Sequence, residues 1–247
     1  MSDHLHIQNI HKDFSGLKVL TGVDFKVADK QRHAIIGPNG AGKTTLFNII
    51  SGKFKPSSGA ILYKGEDISG KPPHLLNRRG LSRSFQISNL FQELTVFENV
   101  LTGVRSRHRM RCNFFKRPNS DCTLCAATEA ILENVGLINE KDKPASSLSY
   151  GKQRALEIAI TLSTEPELIL LDEPTAGMTR EETELAIRMI DRLTKNHTLI
   201  IIEHDMDVVF SLAHIISVLH YGTILVSDTP DKIRNDQRVK DAYLGEG

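Results

Sequence analysis

The fold of this chain is decided by the stretch Gly37-Pro38-Asn39-Gly40-Ala41-Gly42-Lys43-Thr44, which satisfies the phosphate-loop pattern G-x-x-x-x-G-K-[ST]. Before it, the apolar residues 33–36 suit a buried strand, and after it residues 45–50 have the pattern of a helix. Strand, glycine-rich loop and helix therefore stand in the order that phosphate binding requires. The alternative is a glycine turn that binds nothing.

The residue types in this loop suit the phosphates of a nucleotide. Glycines allow the backbone to direct successive N–H groups at the β- and γ-phosphates, and the N-terminus of the next helix adds partial positive charge. In such loops the lysine, here Lys43, reaches the β/γ oxygens, and the hydroxyl of Thr44 binds Mg²⁺. The sequence therefore predicts a site for a nucleotide and Mg²⁺.

Composition is that of an ordinary globular protein: 247 residues, of which 40% are hydrophobic and 25% charged. The 31 basic and 30 acidic residues nearly balance, so the net charge gives no reason to expect a nucleic acid as partner. No apolar run approaches the roughly 20 residues of a membrane span. The start Met1-Ser2-Asp3-His4 lacks the features of a signal peptide. We therefore expect a cytoplasmic protein.

Alternating apolar and polar residues predict antiparallel strands at residues 5–10 and 23–27, which would form a β-layer beside the nucleotide. Between residues 87 and 148 the pattern changes to helix-length stretches, the clearer ones at 96–104 and 126–135. The other elements predicted before residue 87 are an edge strand in 57–65, a short helix opened by Pro72-Pro73 and ended by Gly80, and a strand at 81–85 that ends at Gln86.

After residue 148 the chain returns to the core. The short apolar runs 168–171 and 199–202 are typical of parallel strands buried on both faces. The other elements predicted here are helices at 151–162, 180–194 and 236–244 and a hairpin of strands 215–219 and 223–226.

The sequence thus predicts an α/β fold: a P-loop NTPase core with a mostly parallel sheet, an antiparallel β-layer and an inserted helical subdomain. We expect one domain over residues 1–247. Its core and β-layer would take residues 1–86 and 149–247, and its helical subdomain about residues 87–148.

Charged side chains follow both apolar runs. Asp172 and Glu173 come directly after the first run, at the end of a parallel strand, where α/β sheets bind their ligands. Asp172 would hold Mg²⁺, and Glu173 would polarise the water that attacks the γ-phosphorus. His204 follows the second run and could hydrogen-bond the γ-phosphate. The alternatives are a solvated acidic turn and a structural histidine.

Five segments, in this order, resemble the ATP-binding-cassette (ABC) ATPase family over nearly the whole chain. They are the loop 37–44, the strand ending in Gln86, Leu148-Ser149-Tyr150-Gly151-Lys152-Gln153-Arg154, Leu171-Asp172-Glu173-Pro174 and Glu203-His204-Asp205. The resemblance implies ATP and Mg²⁺ as cofactors. It also implies a dimer in which each ATP lies between one subunit's phosphate loop and the partner's signature segment 148–154.

The resemblance implies roles for individual residues. Ser149 and Gly151 would contact the γ-phosphate of the partner's ATP, Gln86 would touch Mg²⁺ or the attacking water, and Phe14 would stack on adenine. For Phe14 the alternative is core packing. The implied ATP-binding residues are Phe14, Gly37, Pro38, Asn39, Gly40, Ala41, Gly42, Lys43, Thr44, Thr45, Ser149 and Gly151; the catalytic residues are Glu173, His204 and Lys43; and the Mg²⁺ ligands are Thr44, Gln86 and Asp172.

Three residues depart from the family's pattern. Tyr150 replaces the first glycine of the usual signature Leu-Ser-Gly-Gly-Gln, and Lys152 replaces its glutamine. A tyrosine fits if its ring points away from the phosphate, and Lys152 would add charge near the partner's nucleotide. Thr179 stands where an aspartate or asparagine is common, so we expect communication between the two ATP sites to differ.

A narrower resemblance concerns the transported solute. Part of the chain is similar to the ATPase subunit of branched-chain amino-acid importers, and residues 176–179 with 181–183 are closer to the related urea-importer subunit. The segments similar to the first are 83–86, 94–101, 203–206 and 242–246. We expect an ATPase that powers import of a small polar solute, with branched-chain amino acids as first candidate and urea or another small solute as the alternative.

This resemblance implies partners and a place in the cell. The chain would lie on the inner face of the cell membrane, bound to transmembrane permease subunits and to an identical or different second ATPase subunit. A solute-binding protein would act with it indirectly, and no nucleic acid is expected. The rival functions are a soluble cassette ATPase of DNA repair, translation or cofactor assembly, and a nucleotide-regulated module without turnover. The presence of both Glu173 and His204 argues against the second rival.

Two surface features of the helical subdomain remain open. His108, Cys112, Cys122 and Cys125 could bind zinc, but their spacing matches no standard module, so a loop with reduced thiols is favoured. The segment that follows Gln86 carries four apolar residues, which either pack in the subdomain or stay partly exposed as a groove for a permease helix. These residues are Ile87, Leu90, Phe91 and Leu94.

Overall fold

A computed structural model describes residues 3–84, 90–107 and 122–244. The strands of the described chain are β1 (Asp3–Phe14), β2 (Leu17–Ala28), β3 (Arg32–Ile36), β4 (Ser58–Tyr63), β5 (Glu66–Asp67), β6 (Leu81–Arg83), β7 (Leu168–Asp172), β8 (Thr198–Ile202), β9 (Ile215–His220) and β10 (Thr223–Asp228). The helices are α1 (Lys43–Ile50), α2 (Pro73–Arg78), α3 (Val96–Arg107), α4 (Cys122–Asn134), α5 (Tyr150–Leu162), α6 (Arg180–Leu193), α7 (Met206–Leu212), α8 (Pro230–Asn235) and α9 (Gln237–Leu244).

The larger sheet has the strand order β10-β9-β3-β8-β7-β6. Its strands from β9 to β6 pair in parallel, and β10 pairs antiparallel with β9. Every residue of β3, β7 and β8 is buried, because helices cover one face and the second sheet covers the other. The prediction of parallel strands at both apolar runs is confirmed. Parallel pairing brings the carboxyl ends of β3, β8 and β7 to one edge of the sheet.

The smaller sheet is antiparallel, with the order β2-β1-β4-β5, and confirms the predicted β-layer. One detail of the prediction is wrong: β4 is not an edge strand. Residues Glu66 and Asp67 fold back and pair with Tyr63 and Leu62, so the two-residue strand β5 forms the edge.

Three clusters of buried side chains form the core. The first lies between the two sheets and includes α1 residues such as Phe47, and the second lies on the opposite face of the larger sheet. The third joins α3, α4 and the start of α5, with Leu132 and Leu156 fully buried. Helix α5 faces both the second and the third cluster, which links the helical part to the larger sheet.

In the segment expected to face a permease, some of the apolar side chains are buried and others are exposed. Leu90 is only 6% exposed and belongs to the helical cluster, whereas Phe91 is 56% exposed. Leu94 is half-buried, and Ile87 lies outside the described residues. Leu90 is therefore core, and Phe91 is the apolar side chain that the surface presents here.

The predicted loop at the cysteines is wrong for Cys122 and Cys125, which lie in the first turn of α4. This helix begins before the predicted residue 126 because Leu124 and Thr128 bury one face of it against the helical cluster. His108 and Cys112 lie outside the described residues. Within the described ranges, no helix has the length and apolar composition of a membrane span.

Candidate functional site: a nucleotide site at the carboxyl edge of the parallel sheet

The phosphate loop joins β3 to α1 and is held in one shape by close packing. At Gly37 the backbone has φ 151°, and a Cβ atom there would collide with the carbonyl oxygen of Leu219. Gly42 precedes α1 with φ 104° in the left-handed region, and a Cβ atom would lie 2.8 Å from Cδ2 of Leu20. No side chain of the described residues caps α1, and the N-terminus of a helix favours an anion.

The hairpin of β9 and β10 supports this loop. The Gly222 N–H donates to the Ala41 carbonyl at 3.2 Å, and the Thr21 N–H donates to the Gly222 carbonyl at 2.9 Å. A Cβ atom at position 222 would collide with the carbonyl oxygen of Val19. The phosphate loop is thus fixed between the larger sheet and β2.

The side chain of Lys43 folds back over the phosphate loop. Its ammonium donates to the carbonyls of Gly37 at 2.6 Å and Pro38 at 2.9 Å. Asn39, Gly40 and Thr44 are exposed, and Thr45 is half-buried. An ammonium, exposed glycine backbone and a hydroxyl at a helix start are the groups that bind a polyphosphate and its cation.

Asp172 ends β7 beside this loop. Its side chain is only 1% exposed, and its Oδ2 accepts a hydrogen bond of 2.6 Å from Nη2 of Arg83. Its Oδ1 is buried and has no hydrogen-bond partner among the described residues. An unsatisfied, buried carboxylate oxygen is costly, and Mg²⁺ prefers carboxylate and hydroxyl oxygens. The site therefore fits the cation that the sequence predicts.

Glu173 and His204 meet at the same edge. The Glu173 N–H donates to the Ile202 carbonyl at 2.9 Å, which ties the residue after β7 to the end of β8. Nδ1 of His204 lies 3.9 Å from Oε1 of Glu173, and the imidazole is exposed. Glu173 has φ 45°, a strained backbone conformation for a non-glycine residue, as often found at functional sites. The loop, the carboxylates and the histidine are thus brought together as predicted.

Glu203 is a site residue whose role the sequence did not reveal. Its side chain is fully buried, and its Oε1 accepts from the N–H of Thr175 at 3.1 Å and from the Thr175 hydroxyl at 2.6 Å. Its Oε2 accepts from the His204 N–H at 3.2 Å. Glu203 therefore links Thr175, in the loop after Glu173, to the backbone of His204. The signal was present, because a carboxylate directly after a buried strand needs hydrogen-bond donors.

The predicted signature residues lie at the start of α5. Ser149 occupies the N-cap position in an extended conformation and is exposed. The Tyr150 hydroxyl donates to the Ala176 carbonyl at 2.9 Å, which places this segment beside the loop that follows Glu173. Gly151 faces Glu182 at the start of α6, where a Cβ atom would lie 3.1 Å from Oε1.

Phe14, at the end of β1, is exposed and its ring is held by two neighbours. Phe54 packs edge-to-face at a centroid distance of 5.7 Å, and Nζ of Lys12 lies 4.7 Å from the Phe14 centroid. These contacts leave a partly open ring for stacking. Gln86 lies outside the described residues.

The comparisons with known proteins agree with this geometry. Residues 20–176 match the ABC transporter family, which is more than half of the chain. The chain is 40% identical to the high-affinity branched-chain amino acid transport ATP-binding protein BraF of Pseudomonas aeruginosa, and 38% identical to LivG of Escherichia coli strain K12, with 98% of each chain covered in both cases. The chain belongs to the ABC transporter family.

Two further similarities support this membership. Residues 223–247 match the branched-chain amino acid ATP-binding cassette transporter family. The fold superposes on the ADP conformation of MJ1267, an ATP-binding cassette of an ABC transporter, with a TM-score of 0.88, 30% identity and full coverage of both chains. The protein is therefore a cassette ATPase with a P-loop core.

Two of the residues that depart from the family's pattern, Lys152 and Thr179, have partners within the chain. Lys152 pairs with Glu140, and the ammonium groups of Lys143 and Lys152 lower the pKa of that carboxyl to about 2. Thr179 caps α6: its hydroxyl accepts from the Glu182 N–H at 3.3 Å, and its own N–H donates to Glu182 at 2.9 Å. In this ABC cassette, the charge of Lys152 is paired and Thr179 has a helix-capping role.

Proposed function

We propose that this cassette ATPase powers the import of branched-chain amino acids. The observation that carries the solute assignment is the match of the C-terminal residues 223–247 to a branched-chain cassette family, together with relatives named for that transport across 98% of the chain. The chain works as one unit, in which the core 1–86 and 149–247 hydrolyses ATP and the helical part, about residues 87–148, contacts the permease.

ATP binding is assigned to residues at the phosphate loop and at β1. The backbone N–H groups of residues 37–45, except for Pro38, which has none, and the Lys43 ammonium hold the phosphates, and Phe14 stacks on adenine. Thr44, Asp172 and Gln86 would hold Mg²⁺, which would neutralise negative charge on the phosphates. The buried Oδ1 of Asp172, which has no hydrogen-bond partner among the described residues, supports this assignment.

Hydrolysis is assigned to Glu173 and His204. The Glu173 carboxylate accepts a proton from water as that water's oxygen bonds to the γ-phosphorus and ADP leaves. The His204 imidazole donates a hydrogen bond to the γ-phosphate. Glu203 holds the His204 backbone and Thr175, so it keeps the base and the imidazole at one edge of the sheet.

Two protein partners complete the proposed function. Ser149 and Gly151, at the start of α5, contact the γ-phosphate held by a second ATPase subunit. Transmembrane permease subunits contact the surface around Phe91, whose exposed ring adjoins the helical cluster. The cassette thus lies at the inner face of the cell membrane, and a solute-binding protein delivers the amino acid to the permease.

The variant Glu173→Gln tests the catalytic assignment. We expect unchanged ATP affinity and a fall in hydrolysis of at least about 100-fold, because an amide cannot accept the proton. The measurements are fluorescent-nucleotide binding and phosphate release, with Glu181→Gln on the exposed face of α6 as the matched control. Near-wild-type turnover of Glu173→Gln would remove this residue from the mechanism.

Uptake by the reconstituted transporter tests the solute. Vesicles would contain this chain, its permease subunits and their solute-binding protein. We expect ATP-dependent accumulation of radiolabelled leucine, isoleucine and valine. Accumulation of urea without these amino acids would contradict the solute assignment while leaving the ATPase assignment intact.

A further inference from the structure

Arg83, the last residue of β6, is buried at the metal end of the nucleotide site. Its side chain is 9% exposed, and that of its partner Asp172 is 1% exposed. Nη2 of Arg83 donates to Oδ2 of Asp172 at 2.6 Å. Because a buried carboxylate without a counter-ion is strongly destabilising, this arginine neutralises a charge that the sheet would otherwise not tolerate.

The same guanidinium also binds the helix that carries Lys43 and Thr44. Nη1 of Arg83 donates to Oδ1 of Asn48 at 2.7 Å and to the Ser51 hydroxyl at 2.8 Å. Its Cζ lies 5.1 Å from the centroid of the Phe47 ring. One nitrogen of the fork therefore binds the end of β7 and the other binds α1.

These two elements carry two of the three side-chain oxygens assigned to the metal, those of Thr44 and Asp172. Thr44 lies in the first turn of α1, and Asp172 is the last residue of β7. A cation held by both residues requires a fixed distance between α1 and β7. Arg83 joins the two elements, and it occupies Oδ2 of Asp172 while Oδ1 has no hydrogen-bond partner among the described residues.

We propose that Arg83 is a positioning residue of the Mg²⁺ site. It orients Asp172 so that Oδ1 faces the cation, and it sets the separation between the two metal-binding elements. The inference rests on the proposed function, in which Thr44 and Asp172 hold Mg²⁺. The planar guanidinium suits this role, since a lysine ammonium lacks the fork that reaches both elements.

The test measures metal binding without turnover. Mn²⁺ replaces Mg²⁺, and its binding to the ADP-saturated full-length chain is followed by electron paramagnetic resonance. We expect Arg83→Gln to weaken Mn²⁺ affinity about 10- to 100-fold, because removing a residue that orients a metal ligand costs that much. ADP affinity in EDTA should change less than about twofold, because Arg83 has no role in the phosphate contacts assigned to the loop.

Arg32→Gln is the matched control. Arg32 is also 9% exposed and pairs with an aspartate, Asp191, but it lies at the start of β3, away from the carboxyl edge. We expect this variant to lose stability and to keep wild-type Mn²⁺ affinity. A wild-type or higher Mn²⁺ affinity in Arg83→Gln, or an equal loss in both variants, would overturn the inference.

Two further measurements keep the test decisive if Arg83→Gln is too unstable for the metal titration. In the metal-free chain, Arg83→Gln should lower the unfolding midpoint by roughly 10 °C, and adding Asp172→Asn should restore at least about half of that loss. If the two substitutions instead lower the unfolding midpoint additively, Arg83 does not act as the counter-ion of Asp172. Arg83→Lys should fold and still weaken Mn²⁺ binding about tenfold; a wild-type value would overturn the bridging role.

The same measurements separate this inference from the proposed function. A wild-type chain that binds no Mn²⁺ in the presence of ADP would contradict the proposed function itself. A wild-type chain that binds Mn²⁺ and an Arg83→Gln variant that binds it equally well would contradict only the role of Arg83.

Discussion

Tyr150 stands where the ABC signature normally has a glycine, and its contacts give it a role of its own. Its hydroxyl donates to the Ala176 carbonyl and accepts hydrogen bonds from Arg154, the shorter one at 2.9 Å. Its ring lies where a Cβ atom of Gly177 would come within 3.4 Å. The signature segment and the loop after Glu173 are therefore joined inside one subunit by a single side chain.

Replacing this tyrosine tests whether its contact with the loop after Glu173 matters for turnover. Tyr150→Phe removes the hydroxyl, and we expect a stability loss of about 1 kcal/mol and a fall in hydrolysis of up to about tenfold, because the loop after Glu173 loses an anchor. ATP affinity should not change. The exposed Tyr221 provides the control Tyr221→Phe. Equal kinetics in both variants would show that the Tyr150 hydroxyl has no part in turnover.

Some contacts of the site could not be predicted from the sequence, for a physical reason. The pattern around residues 37–44 and the carboxylates after an apolar run could be recognised because each is local in the chain. The pairing of Arg83 with Asp172 joins residues 89 positions apart. It depends on β6 lying beside β7, which the order of strands in the sequence does not determine.

Among the secondary-structure elements, the strands of the two apolar runs were predicted correctly, whereas two of the short helices were not. The run 168–171 identified β7, since a strand buried on both faces has no solvent-facing positions that would alternate polar with apolar residues. Helices α7 and α8 were missed although their capping residues were visible: Asp205 accepts from the Asp207 N–H, and Pro230 begins α8. Helices of six or seven residues have too few turns for a clear periodicity.

Substitutions at Leu90 and Phe91 should separate the packing of the helical part from its contact with the permease. Leu90→Ser should cost about 2–5 kcal/mol of stability, because it empties a packed position of the helical cluster. Phe91→Ser, at the exposed neighbour, should change stability by less than about 0.5 kcal/mol while reducing co-purification with the permease. Chemical denaturation and affinity pull-down measure the two effects. An unfolded Phe91→Ser chain would contradict the surface assignment.

At the scale of the whole molecule, buried histidines make stability depend on pH. His33, on β3 beside β9, is fully buried and contacts the Ser217 hydroxyl at 2.7 Å, and burial lowers its pKa to about 4. Burial also lowers the pKa of His4, His197 and His214. An imidazole with a depressed folded-state pKa takes up its proton more readily in the unfolded chain, so acid favours unfolding.

The stability contributed by these neutral imidazoles should therefore be fully present above about pH 6.5 and be lost as the pH drops towards 4. His33 alone accounts for about 3 kcal/mol of this loss, because its pKa falls from 6.5 to about 4 on folding. Urea denaturation across this range measures the slope, which His33→Gln should reduce. The control is His74→Gln, at an exposed position of α2. An unchanged slope in His33→Gln would contradict the assignment.

The placement of β3 has a consequence for how the protein is made. Both sheet neighbours of β3, and the Leu219 and Gly222 contacts of its phosphate loop, come from the last 50 residues of the chain. During translation the loop emerges on the order of 10 to 40 s before residue 222, at about 5–20 residues per second. The nascent chain therefore cannot complete its nucleotide site until β8, β9 and Gly222 have been synthesised.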